Sequence, residues 1–248
     1  MSVILQIDNL VKSFPDPDGG VVTILDIPSF VMNEGEQVAL IGQSGGGKTT
    51  LLHLIAGLLS PDVPPSKKEL GVDATGDEDA TVRKSSIVID NIDLTKLSEQ
   101  GRDRFRAHTI GYVFQTFNLL PAFTALENVR LGMTFGSGKG TGSRAMDLLD
   151  RVGLADRADY RPSQLSVGQQ QRVAIARAMA GRPRLLLADE PTANVDPKSA
   201  EVVLDLIRKT CQEENVAMLM VTHDMQIASR FDRIEQLDQI NHAIASKK

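Results

Sequence analysis

The chain of 248 residues has a single cysteine, Cys211, so no disulfide can form within it, and a reducing compartment suits it better than a secreted one. A lone cysteine in a helical stretch reads as a small apolar filler. A basic surplus is missing too: 27 Lys and Arg stand against 32 Asp and Glu, for a formal net charge of -5. Proteins that grip a phosphate backbone carry excess positive charge to release its counterions, so nucleic acid is not an expected partner. No apolar run approaches the roughly 20 residues that cross a bilayer. Residues 1–10 show no basic stretch leading into an apolar one, so no export signal is expected, and any membrane contact would come through a partner. What remains is ample apolar sequence, 42% of the chain, enough for one large α/β core or a core with a smaller lobe.

Apolar and polar residues alternate over 3–7, 21–27 and 38–41, with turn-forming residues 15–20 between the first two, which predicts strands leading into a glycine loop. Leu51, Leu52, Ile55, Leu58 and Leu59 then keep helical spacing over 49–59, with Pro61 just beyond. Residues 61–86 break the pattern with three prolines, paired lysines and an acidic run, and read as a mobile surface insertion or a partner-binding element. Strands are expected at 87–89 and 110–114. Thr124 and Glu127 have the spacing of a capping box opening a helix over 125–135, and a second helix is expected over 144–152, stopped by Gly153. Helix 167–180, strand 185–188, a helix from Pro197, strand 217–221 and a helix from Asp224 complete the order. Strands separated by helices imply an α/β fold with a mainly parallel sheet covered on both faces.

Three stretches carry chemistry. Gly42-Gln43-Ser44-Gly45-Gly46-Gly47-Lys48-Thr49, followed by Thr50, fits the P-loop spacing. Its glycines let successive backbone N–H groups turn toward phosphate oxygens at a helix start, Lys48 reaches the terminal phosphates, and Thr49 supplies a hydroxyl for magnesium. Arg184-Leu185-Leu186-Leu187-Ala188-Asp189-Glu190 is an apolar strand ending in two carboxylates, at the sheet end where ligands bind. Neighbours on an extended chain point apart, so Asp189 suits a metal shell and Glu190 a general base, although Asp-Glu after a strand also suits a helix cap. In Leu165-Ser166-Val167-Gly168-Gln169-Gln170-Gln171-Arg172, Ser166 can cap the following helix with Gln169 at the capping-box position, offering N–H donors and a hydroxyl to an anion or serving as a cap alone.

At this last stretch the sequence resembles the ABC ATPases, and the resemblance runs over nearly the whole chain. It implies a P-loop NTPase core of residues 1–115 and 181–248, with an N-terminal antiparallel β subdomain and a helical signature subdomain over 116–180, all within one domain of 1–248. It implies ATP and Mg2+ as ligands, with Gln115 reaching metal and water, His223 contacting the γ-phosphate, Asp196 in the loop that crosses a dimer, and Ser166, Gly168 and Gln169 facing nucleotide. Phe14 stands where the family has a tyrosine on adenine; phenylalanine keeps the π-face, though a place in the core beside Val11 is the alternative. His53, His108 and His242 match no family position. Val167 and Gln239 depart from usual glycines. Residues 115–129 are similar to the branch of lipoprotein-releasing, macrolide-efflux and cell-division ATPases. The implied protein is an ATP-hydrolysing subunit that pairs with a second copy and a separate permease at the cytoplasmic face of the inner membrane. A regulatory module of cell-division type, moving no cargo, is the alternative.

Overall fold

The computed structural model describes residues 2–17, 19–63, 84–134 and 142–245. Two long alternating segments, β1 (Val3–Pro15) and β2 (Val21–Asn33), pair antiparallel with Leu10 opposite Ile27 and Phe14 opposite Val22. Both outrun the expected stretches, because alternation continues through half-buried polar residues such as Lys12, Ser13 and Thr23. β4 (Ser86–Ile89) and β5 (Ile92–Asp93) complete this sheet in the order β2-β1-β4-β5.

The second sheet contains β3 (Gln37–Ile41), β6 (Ile110–Val113), β7 (Leu185–Asp189), β8 (Ala217–Val221) and β9 (Arg233–Gln236). Their order is β6-β7-β8-β3-β9, and every pairing is parallel. Period-two side chains split between its faces. Val38, Leu40, Leu185, Leu187, Leu219 and Val221 pack toward the antiparallel sheet and α1 (Lys48–Ile55). Ala39, Ile41, Leu186, Ala188, Met218 and Met220 pack toward α3 (Ala125–Thr134), α4 (Gly142–Arg151), α5 (Val167–Ala180) and α6 (Pro197–Glu213). Burial on both faces is what makes β7 and β8 almost continuously apolar. Cys211 is buried in α6, and burial pushes its thiol up to about 12, which matches a filler rather than a nucleophile.

Several boundaries move. α1 stops at Ile55 instead of continuing to 59, because Gly57 takes φ +65° and the amides of Leu58 and Leu59 turn back to the His53 carbonyl, leaving Leu58 exposed. Phe135, expected to end a helix, lies outside the described residues. The expected insertion 61–86 has ordered ends: Asp62 donates its N–H to Val11 O (2.9 Å) and pairs with Lys12 (3.0 Å). Ser85 is buried with its hydroxyl on Asn9 O (2.8 Å), and Ser86 opens β4. Residues 64–83 lie outside the described residues.

Among the described residues, several elements escape the apolar pattern. α2 (Glu99–Thr109), capped by Ser98, buries only Phe105 and Thr109 and so shows no stripe. β9 alternates charged residues at a sheet edge. α8 (Leu237–Ile240) and α9 (His242–Ala245) are single turns. α7 (Met225–Ala228) starts at Asp224, whose carboxylate accepts from Gln226 and Ile227 N–H groups. Among the described residues, no helix is long and apolar enough to cross a membrane.

Candidate functional site

β3 runs into the glycine loop, and the loop opens α1, so the helix N-terminus faces the carboxyl ends of the parallel strands. Gly47 takes φ +98°, and a Cβ there would come within 2.9 Å of Leu25 Cδ2 and 3.0 Å of Ile24 Cγ2. Any other residue would be strained in conformation and in space. Lys48 is 6% exposed, and its ammonium donates to the carbonyls of Gly42 (2.8 Å) and Gln43 (2.9 Å). The loop thus folds over its own lysine and holds the charge at its centre.

Asp189 ends β7, one strand removed from β3, and accepts the Thr49 hydroxyl at 3.2 Å. Burial raises its carboxyl above the ordinary range, and the charge of Glu190 adds to this, against the Thr49 hydrogen bond and the positive influence of His53 and Lys48. Glu190 has φ +44°, a left-handed conformation costly for a non-glycine residue, and its N–H donates to Val221 O at 3.0 Å. That turn separates the two carboxylates: Asp189 faces Thr49, while Glu190 Oε2 lies 3.0 Å from His223 Nδ1, just past β8.

A cavity of about 510 Å³ is walled by Ser44, Gly45, Gly47, Lys48, Thr49, Thr50, Gln115 and Glu190, with Phe14 and Ile24 at the antiparallel sheet. Phe14 is 37% exposed and its ring takes Lys12 Nζ at 5.4 Å, so it belongs to the cavity rim and not to the core. Gln43 and Gly46 line a smaller adjoining cavity with Asp238, and Gly42 abuts Leu237 behind the loop. Ser166, Gly168, Gln169 and Asp196 do not reach the large cavity. Ser166 caps α5 by accepting the Gln169 N–H (3.3 Å), while Gln169 Oε1 accepts the Ser166 N–H (2.9 Å). Asp196 caps α6 by accepting the Ser199 N–H at 3.1 Å, and hydrogen bonds from the Ser199 side chain and then its N–H lower the Asp196 carboxyl.

Three further residues contribute that are not among the expected site residues. Ile24 is a cavity wall chosen by the packing of β2 on the loop. Asn194 ties its segment to the Gln115 carbonyl (2.8 Å). Tyr112 tilts against His53 and Phe114 behind Asp189. His108 Nδ1 meets Arg104 O (2.7 Å), a local helix contact. A separate groove of about 420 Å³ runs between α2, β6, α3 and α5, lined in part by Ile110, Tyr112, Phe114, Leu131 and Ala178, and its β6 wall leads directly into Gln115.

A parallel sheet whose glycine loop enters a helix beside a buried aspartate and a diverging glutamate defines a P-loop nucleoside-triphosphatase. Residues 25–193 match the family model described as ABC transporter. Two solved structures of MJ0796 are similar: its dimeric post-hydrolysis state as an ATP-binding cassette bound to ADP and Pi, and its dimeric structure as a bacterial ABC transporter cassette. Each is 34% identical, covers 94% of this chain and 94% of that chain, and has a TM-score of 0.78. The chain belongs to the ABC transporter family, as its ATP-binding cassette, and is an ATPase.

Proposed function

We propose that the chain is one domain whose two copies close head to tail around MgATP and, through a separate permease, drive an ABC transporter of the mechanical branch that includes lipoprotein-releasing and macrolide-efflux ATPases. The observation that carries the reading is the split of the site. Lys48, Thr49 and Glu190 line one cavity, with Asp189 bonded to Thr49 behind it, whereas Ser166, Gly168 and Gln169 stand apart from it on the start of α5. Gly168 is telling. Its φ is not positive, and a methyl there would meet Ser199 only at ordinary contact distance, 3.6 Å. Nothing among the described residues requires glycine at this helical position, where it costs roughly 1 kcal/mol against alanine. The room it leaves suits a ligand held by a second copy, with Asp196 in the loop that would cross.

In this reading Gly42, Gln43, Ser44, Gly45, Gly46 and Gly47 turn N–H groups to phosphate, Thr50 adds a hydroxyl, Lys48 pairs with the terminal phosphates and Phe14 stacks on adenine. The residues present fit magnesium: a buried carboxylate already bonded to a hydroxyl, with its charge disfavoured until a cation arrives, is the oxygen donor set a hard divalent ion takes. Thr49, Asp189 and Gln115 would hold it, and its charge would offset that of the phosphates. Glu190 takes the proton of the attacking water, and His223 orients Glu190 and faces the γ-phosphate. The permease would dock in the groove on β6, next to Gln115, placing the chain on the cytoplasmic face of the membrane.

Light scattering of a Glu190→Gln protein with and without MgATP tests the closure: a nucleotide-dependent doubling of mass is expected. A monomer at high concentration would overturn the shared site.

A further inference from the structure

The last described segment closes over the back of the glycine loop. After β9 the single-turn helices α8 and α9 are joined by Asn241, which is fully buried. β2 is an edge strand of its sheet among the described residues, so its outer backbone groups have no strand neighbour. At Ile24 and Asp26 the Asn241 carboxamide takes them. The Asp26 N–H donates to Oδ1 at 2.8 Å, and Nδ2 donates to the Ile24 carbonyl at 2.8 Å. Oδ1 also accepts the Ala243 N–H at 3.2 Å, at the start of α9. One side chain replaces a strand rung and caps a helix turn.

This rung lies at an irregularity. Lys12 pairs with Leu25 but Ser13 pairs with Thr23, so Ile24 is the extra residue of a bulge. A bulge loses part of its ladder and re-aims the strand, so its geometry depends on what else binds it. Ile24 and Leu25 are the side chains against which Gly47 packs, and Ile24 walls both the large cavity and its smaller neighbour. α8 and α9 pack on β2 and β9, whereas Glu190 and His223 follow β7 and β8.

We infer that Asn241 is a positioning residue for nucleotide binding: its carboxamide fixes the bulged rung of β2 that seats Gly47 and the Ile24 wall, setting affinity for ATP without touching it. The inference rests on the reading of the large cavity as the ATP site.

The test compares Asn241→Leu and Asn241→Asp with the unaltered full chain, by titration with MgATP and by steady-state hydrolysis. Leucine removes both donor and acceptor; aspartate keeps the shape and the acceptor but sets a carboxylate against the Ile24 carbonyl. Kd and KM for ATP should rise about tenfold for leucine and about threefold for aspartate, with kcat within about twofold. Val203→Ala, in α6 on the other face of the parallel sheet, serves as a control that lowers the melting temperature and should leave KM unchanged. Should the leucine protein not fold, the isosteric aspartate protein decides alone. Kd within twofold of the unaltered chain, kcat falling in step with affinity, or an equal rise in KM for Val203→Ala would overturn the inference. The unaltered chain is titrated first, so failure of that titration would overturn the ATP-site reading separately.

Discussion

Two helix starts carry the proposed nucleotide contacts, at Lys48 and at Ser166, and the side chains at both make hydrogen bonds within the chain. Lys48 donates to two loop carbonyls, and Ser166 and Gln169 exchange a reciprocal pair of hydrogen bonds. Their surroundings differ. The first lies at the floor of a cavity beside Asp189 and Glu190; the second is exposed, with Val167 uncovered beside it. A helix start therefore lines a cavity in one place and lies on an exposed surface in the other. In the proposed reading one chain supplies two half-sites rather than one whole site, which is why association is built into the proposed chemistry.

The largest effect that sharpens this contrast is at Glu190. Glu190→Gln should slow hydrolysis by about 10²–10⁴-fold while MgATP binding persists, as checked by phosphate release and titration. Next come the two helix starts themselves. Lys48→Ala should weaken MgATP binding by the monomer about 10- to 100-fold, whereas Ser166→Arg should leave it within about twofold and abolish nucleotide-dependent association. An equal mixture of these two inactive proteins should recover up to roughly a quarter of the normal rate, because a mixed head-to-tail dimer gathers both lesions in one site. Equal loss of monomer affinity in both proteins would erase the distinction. Phe14→Ala should cost about 3- to 10-fold in affinity, seen equally with ATP and ADP because both carry adenine.

The smallest effect is on stability. The Asp189 carboxyl is raised by burial, so the folded chain holds this proton more firmly than the unfolded one. The stabilisation from its protonated form is complete below the ordinary carboxylate pKa and is lost as pH rises through the raised value. Nucleotide-free Asp189→Asn should therefore melt higher than the unaltered chain at neutral pH, with the gap closing as pH falls. A gap constant from neutral pH to pH 4 would mean that burial is not what loads Asp189.

The motifs, their order and the apolar β7 and β8 strands were legible in the amino acids, because a strand buried on both faces and a loop that must wrap phosphate each tolerate few residue types. The capping boxes at Thr124 and Ser166 were readable for the same reason, since their partners sit three residues away. α2 and β9 were not, since neither shows a distinctive apolar pattern. Phe14 could be read as rim or core until the β1–β2 hairpin put it opposite Val22 on the cavity edge. The sequence by itself determined the chemistry, which depends on residue type at short spacing. Only the tertiary structure decided that Asp189 meets Thr49 across 140 positions, that Ile24 and Asn241 back the glycine loop, and that Ser166 stays outside the cavity. Those juxtapositions follow from strand order and packing, which local composition does not encode.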